Sequence, residues 1–166
     1  MPEVLLGLGS NVGDRERNVA DAVVRLAQRG FLTQKRSALY LAEPVALLPQ
    51  GWFVNAAVRG TTELPPEELL RVCLDVEHQL GRVRDRHHGP RTLDIDMLVY
   101  DAIVRDTPEL VLPHPRMHER RFVLVPLGDV APEMRHPTLG RTFAELLRDC
   151  PDRSQVQLHR PPEAWP

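Results

Sequence analysis

"RTLDIDMLVY", residues 91–100, decides how the rest of the chain is read. Leu93, Ile95, Met97, Leu98 and Val99 mark a buried strand, yet Asp94 and Asp96 interrupt it. Side chains at i and i+2 share a strand face, so both carboxylates point the same way from Cα atoms roughly 6–7 Å apart. Like charges that close are unfavourable unless something positive lies between them. Magnesium is the natural cation, because it takes oxygen ligands and is satisfied by one or two carboxylates plus water and substrate phosphate. Alone, an Asp-x-Asp pair also reads as the solvated face of a half-exposed strand. The surroundings decide between the two.

Upstream, "EVLLGL" (3–8) reads as a buried strand and "GSNVGD" (9–14) as a turn with Asp14 as N-cap. Val19, Ala22, Val23 and Leu26 follow at helical spacing, and Gly30 ends that helix. A strand is expected over 31–42, a loop over 43–52 and a third strand over 53–60. Leu69, Val72, Cys73, Val76 and Leu80 form the stripe of a second helix that Gly81 closes. The order strand, helix, strand, strand, helix, strand predicts an α+β fold, a ferredoxin-like αβα sandwich with a mainly antiparallel sheet. A last helix is expected from about Thr142 to Arg148. Residues 1–150 read as one domain and 151–166 as a proline-rich tail, whose end "RPPEAWP" (160–166) is expected to be extended or poorly ordered.

At 166 residues the chain is long enough for one domain with a real core, and 42% hydrophobic content is ordinary for a soluble protein. A formal charge of −2 gives no global attraction to nucleic acid or to an anionic membrane, and no apolar run is long enough to span one. The N-terminus reads as a first strand rather than a signal peptide. Cys73 and Cys150 form no metal-type cluster and read as reduced thiols of a cytoplasmic protein.

The loop just before the acidic strand is dense in cations. Arg82, Arg84, Arg86 and Arg91 surround His87 and His88. Guanidinium forks match phosphate oxygens and stay charged at any relevant pH. Such a loop followed by two same-face aspartates is what a metal–polyphosphate site needs. "LPHPRMHERRF" (112–122) adds His114, Arg120 and Arg121 as phosphate-binding candidates. Its histidines have no common zinc spacing. "WFVNAA" (52–57) puts Phe53 and Asn55 on one strand face, either as a recognition pair for a flat heterocycle or as core packing with a turn-facing amide. "GLGSN" (7–11) can present backbone N–H groups to an anion, though alone it reads as an ordinary turn; it is neither a Walker loop nor a dinucleotide fingerprint.

"GLGSN", "FVNAA", "GRVR", "GPRTLDIDMLVY" and "LPHPRMHERRFVLVPLGDVAPE" occur in this order and at these intervals. Together they resemble the 6-hydroxymethyl-7,8-dihydropterin pyrophosphokinases of folate biosynthesis, from about Val4 to about Leu147. The resemblance implies transfer of pyrophosphate from ATP to the pterin's hydroxymethyl oxygen, with release of AMP. It implies two Mg2+ ions held by Asp94 and Asp96, and catalytic arginines at Arg82 and Arg91. ATP contacts fall on Arg84, His114 and Arg120. The pterin falls between Phe53 and Phe122, with Asn55 bonding its ring, and Glu77 matches an acid near the pocket. His88 stands where the family's loop often has tryptophan, and Phe53 where tyrosine is frequent. A monomer acting on small molecules is expected. Two rivals are set aside. In nucleotidyltransferases the Gly-Ser and Asp-x-Asp motifs lie close together, whereas here more than eighty residues separate Ser10 from Asp94. An RNA-binding module of this fold wants exposed aromatics and a basic face, but aromatics are only 5%.

Overall fold

A computed structural model describes residues 1–44, 51–81 and 92–166. Strand β1 (Glu3–Ser10) leads into helix α1 (Arg15–Gln28), where the Asp14 carboxylate accepts the Arg17 N–H at 3.2 Å. Gly30, at φ 105°, turns the chain into strand β2 (Phe31–Arg36). Strand β4 (Phe53–Thr62), helix α2 (Pro66–Gln79) and strand β5 (Asp94–Tyr100) follow the expected order.

The strand expected over 31–42 is in fact two, β2 and β3 (Leu39–Ala42). Ser37 makes the break. Its hydroxyl accepts the Ala57 N–H at 2.9 Å and donates to the Ala38 carbonyl at 2.6 Å, replacing a regular rung of the ladder. Both halves pair with β4, β2 along residues 58–62 and β3 along 53–55.

Beyond β5 come a short hairpin of two-residue strands, β6 (Arg105–Asp106) and β7 (Val111–Leu112), then helices α3 (Arg121–Val130) and α4 (Phe143–Arg148). Thr142 and Glu145 cap α4 reciprocally, side chain to backbone in both directions. The tail supplies an edge strand, β8 (Val156–Arg160), antiparallel to β3. The buried Trp165 indole N–H donates to the Ser37 carbonyl at 3.0 Å.

The sheet runs β5-β1-β4-β3-β8 with β2 also beside β4, and its pairings are antiparallel. Helices α1 and α2 cover one face, packing Val19, Leu26, Leu69 and Val76 on Leu6, Val54, Ile95 and Met97. Helices α3 and α4 cover the other with Leu124, Leu127, Phe143 and Leu146 against Leu5, Ala57, Leu98 and Val99. The result is the α+β, ferredoxin-like αβα sandwich. No helix among the described residues is long and apolar enough to cross a membrane.

Strand β5 is irregular. Val99 lies opposite Leu5 and Met97 opposite Leu6, leaving Leu98 as an extra residue. Leu98 and Val99 therefore both pack against the α3–α4 layer. The Leu98 carbonyl accepts the His114 N–H at 2.9 Å.

Candidate active site

Asp94 and Asp96 lie at the start of β5, opposite Gly9 and Gly7 of β1. Ile95 and Met97 point into the α1–α2 layer, so by alternation both aspartates face the opposite side, each half-buried. The same-face reading of the pair therefore holds. Across β1, Gly9 is in turn opposite Asn55 of β4, and Asn55 is opposite Tyr40 of β3. One row of the sheet thus reads Asp94, Gly9, Asn55, Tyr40, with Asp94 and Asn55 two strand spacings apart, about 10 Å.

Helix α2 grips the acidic strand from behind. The Glu77 carboxylate, 1% exposed, accepts the Ile95 N–H at 2.7 Å, between the two aspartates in sequence. Two half-buried carboxylates on one face suit a hard cation whose other ligands are water and phosphate. Among the described residues no three His, Cys, Asp or Glu side chains are grouped to hold a metal by themselves.

His114 reaches the same region through its bond to Leu98. Burial, then the nearby Arg120 charge, push its imidazole down to about 4, with Asp94 opposing and Arg116 adding to the fall. The Arg116 N–H donates to Nδ1 at 3.3 Å, so the neutral ring carries its proton on Nε2. Arg120 lies over the Phe122 ring, 5.8 Å from its centroid, at the start of α3. Asp152, from the tail, caps this end of α3 by accepting the Arg121 N–H at 2.9 Å.

Asn55 is 8% exposed. Its Nδ2 donates to the Leu8 carbonyl at 3.4 Å, while its Oδ1 is buried without a hydrogen-bond partner. Phe53 begins the same strand and, two residues earlier, shares that face. Tyr40 donates its hydroxyl to Asp129 at 2.7 Å, and Asp129 also accepts the Ala38 N–H at 3.1 Å, which ties β3 to α3. The glycine turn after β1 is braced by its own side chains. Asn11 Nδ2 donates to the Gly51 carbonyl at 3.2 Å, and Asn18 Nδ2 to Ser10 Oγ at 3.2 Å.

Asp94, Asp96, His114, Arg120, Phe122, Phe53 and Asn55 are thus all on elements meeting at one face. Arg82, Arg84 and Arg91, with His88, lie outside the described residues. Sequence reading passed over Gly9, Tyr40 and Asp129. Only the alternating glycines of "GLG" hinted at a side-chain gap beside the aspartates.

Comparison with known proteins places the chain among relatives of one family. The family described as 7,8-dihydro-6-hydroxymethylpterin-pyrophosphokinase (HPPK) matches residues 5–132. The chain is 49% identical over 148 residues to the 2-amino-4-hydroxy-6-hydroxymethyldihydropteridine pyrophosphokinase of Methylorubrum extorquens, covering 89% of this chain and 92% of that protein. It is 40% identical over 153 residues to the enzyme of the same name from Bacillus subtilis, covering 91% and 92%. The folic acid synthesis protein FOL1 of Dictyostelium discoideum is 37% identical over 159 residues, but this chain spans only 24% of its length. Among solved structures, wild-type Plasmodium falciparum HPPK-DHPS with pteroate shares the fold at TM-score 0.71 and 16% identity, covering 89% of this chain and 42% of that one. The chain belongs to the 7,8-dihydro-6-hydroxymethylpterin-pyrophosphokinase family, and its activity is transfer of pyrophosphate from ATP to 6-hydroxymethyl-7,8-dihydropterin, with release of AMP, in folate biosynthesis.

Proposed function

We propose that the face bearing Asp94 and Asn55 is where the two substrates meet. The observation that carries this reading is the single row Asp94, Gly9, Asn55, which puts acidic ligands and a buried, unpartnered acceptor on one surface. Asp94 and Asp96 hold two Mg2+ ions, which when bound neutralise polyphosphate charge as Lewis acids. The neutral His114 donates from Nε2 to an ATP phosphate oxygen, and Arg120 pairs with another. Phe53 and Phe122 offer flat faces to the pterin, and Asn55 Oδ1 accepts one of its N–H groups. Arg84 joins the ATP contacts from the basic loop. Arg82 and Arg91 stabilise charge that develops as the hydroxymethyl oxygen displaces AMP from the β-phosphorus.

The protein acts as a cytoplasmic monomer on small molecules, with residues 1–150 as the pyrophosphokinase domain and 151–166 as its tail. The test is a product assay with ATP, Mg2+ and 6-hydroxymethyl-7,8-dihydropterin, comparing the wild type with single alanine variants of these residues. AMP forms one-for-one with pterin pyrophosphate. Asn55→Ala raises the pterin KM and spares that of ATP, while His114→Ala does the reverse. The opposite pattern would reassign the two halves of the face.

A further inference from the structure

Gly9 is in extended backbone without a positive φ, so its conformation alone asks for no glycine. Space does. A Cβ built there would lie 2.7 Å from Asn55 Nδ2 and 3.5 Å from Phe53 Cδ1. The first separation is closer than real Cβ atoms come to a polar nitrogen, so the amide would have to move. Gly7, on the same face of the same strand, differs: its nearest neighbour would be Leu98 Cδ1 at an ordinary 3.5 Å.

The Asn55 amide is also fixed in sense. Its Nδ2 meets the Leu8 carbonyl at 3.4 Å, and a flipped amide would set two acceptors against each other. The buried Oδ1 is then the atom left for a ligand.

We propose that Gly9 is a specificity-determining positioning residue, whose missing side chain lets the Leu8 carbonyl lock the Asn55 amide with its oxygen outward. The subsite then selects a flat heterocycle edge that donates an N–H. The inference rests on the reading of Asn55 as a substrate contact.

The experiment measures kcat, both KM values and thermal melting for Gly9→Ala, Gly7→Ala, Asn55→Ala, Asn55→Asp and the Gly9→Ala/Asn55→Ala double variant. Gly9→Ala raises the pterin KM roughly tenfold or more while the ATP KM stays at the wild-type value. Gly7→Ala stays near wild type. The double variant is no worse than Asn55→Ala alone, because Gly9 acts only through that amide. Asn55→Asp keeps the outward oxygen but sets a carboxylate against the Leu8 carbonyl, so it fails as fully as Asn55→Ala. This arm needs no folded Gly9 variant.

A wild-type pterin KM in Gly9→Ala or in Asn55→Asp overturns the lock. So does additivity in the double variant, or a rise in both KM values accompanied by a lower melting temperature. If Asn55→Ala itself keeps a wild-type pterin KM, the substrate-contact reading falls and takes the lock with it. That outcome is distinct from Asn55→Ala failing while Gly9→Ala does not.

Discussion

The imidazole of His114 is held neutral well below the ordinary histidine range, at about 4, by burial and by Arg120. The unfolded chain titrates near 6.5, so between these values it binds more protons than the folded protein does. The stability this group contributes is complete above about pH 6.5 and is lost as pH falls towards 4. A His114→Gln variant should flatten the acid limb of the stability curve there by on the order of 2–3 kcal/mol, read from urea midpoints against pH. Cys73 is the converse. Burial, then the Glu77 and Asp96 charges, push its thiol up to about 12. Iodoacetamide at pH 8 should leave it unmodified in the native protein and alkylate it once urea unfolds the chain. Asp94→Ala and Asp96→Ala should each lower turnover by about a thousandfold or more with melting nearly unchanged, since a half-exposed acid carries little packing. At this scale the two aspartates were legible because strand alternation is a period of two. Gly9 and the neutrality of His114 were not, because each depends on what lies across a strand or beneath a loop.

Among the elements, α3 carries Arg120 and Phe122 at its start and is held at both ends. Asp152 caps its first N–H and Asp129, near its last turn, bonds β3. Asp152→Ala should cost about 1 kcal/mol in denaturant stability and, on the proposed placement of ATP at Arg120 and the pterin at Phe122, raise the KM for both substrates modestly. This helix was invisible in the sequence. "RFVLVPLGDV" has three valines, a glycine and Pro126, whose absent N–H leaves the Phe122 carbonyl without its helical partner. Packing against the sheet through Leu124, Leu127 and Val130 overrides that poor propensity. The split of β2 from β3 was hidden for a related reason: Ser37 looks like any polar strand residue until its hydroxyl is seen bonding the ladder. Helix α1 was legible because stripe, Asp14 cap and closing glycine agreed, and α2 because its stripe and closing glycine did.

For the molecule as a whole, chain ends and middle are tied across the layers. Arg59 on β4 reaches Glu3 at 3.1 Å, Glu133 at 2.9 Å and the Val130 carbonyl at 3.2 Å, joining the sheet to the end of α3. The tail adds a strand, the Asp152 cap and Trp165, whose ring lies under the Arg36 guanidinium at 4.9 Å. Trp165→Ala should cost about 3 kcal/mol and lower the melting temperature by several degrees, measured by calorimetry. Composition announced the tail's prolines but not its docking. The pairing partner, β3, is set by the break at Ser37, which no local pattern in residues 151–166 encodes.

The extra residue in β5 separates two phases of one strand. Before it, alternation indexes chemistry: Asp94 and Asp96 outward, Ile95 and Met97 inward. After it, alternation indexes packing. Deleting Leu98 would restore strict alternation and leave every remaining side chain of the strand on its own face, but it would also empty a place in the α3–α4 core, where Leu98 is 1% exposed. Such a deletion would also remove the carbonyl that holds the His114 N–H at 2.9 Å. On the proposed reading of His114, the irregularity is an address for the phosphate-binding segment, written into the backbone of the acidic strand.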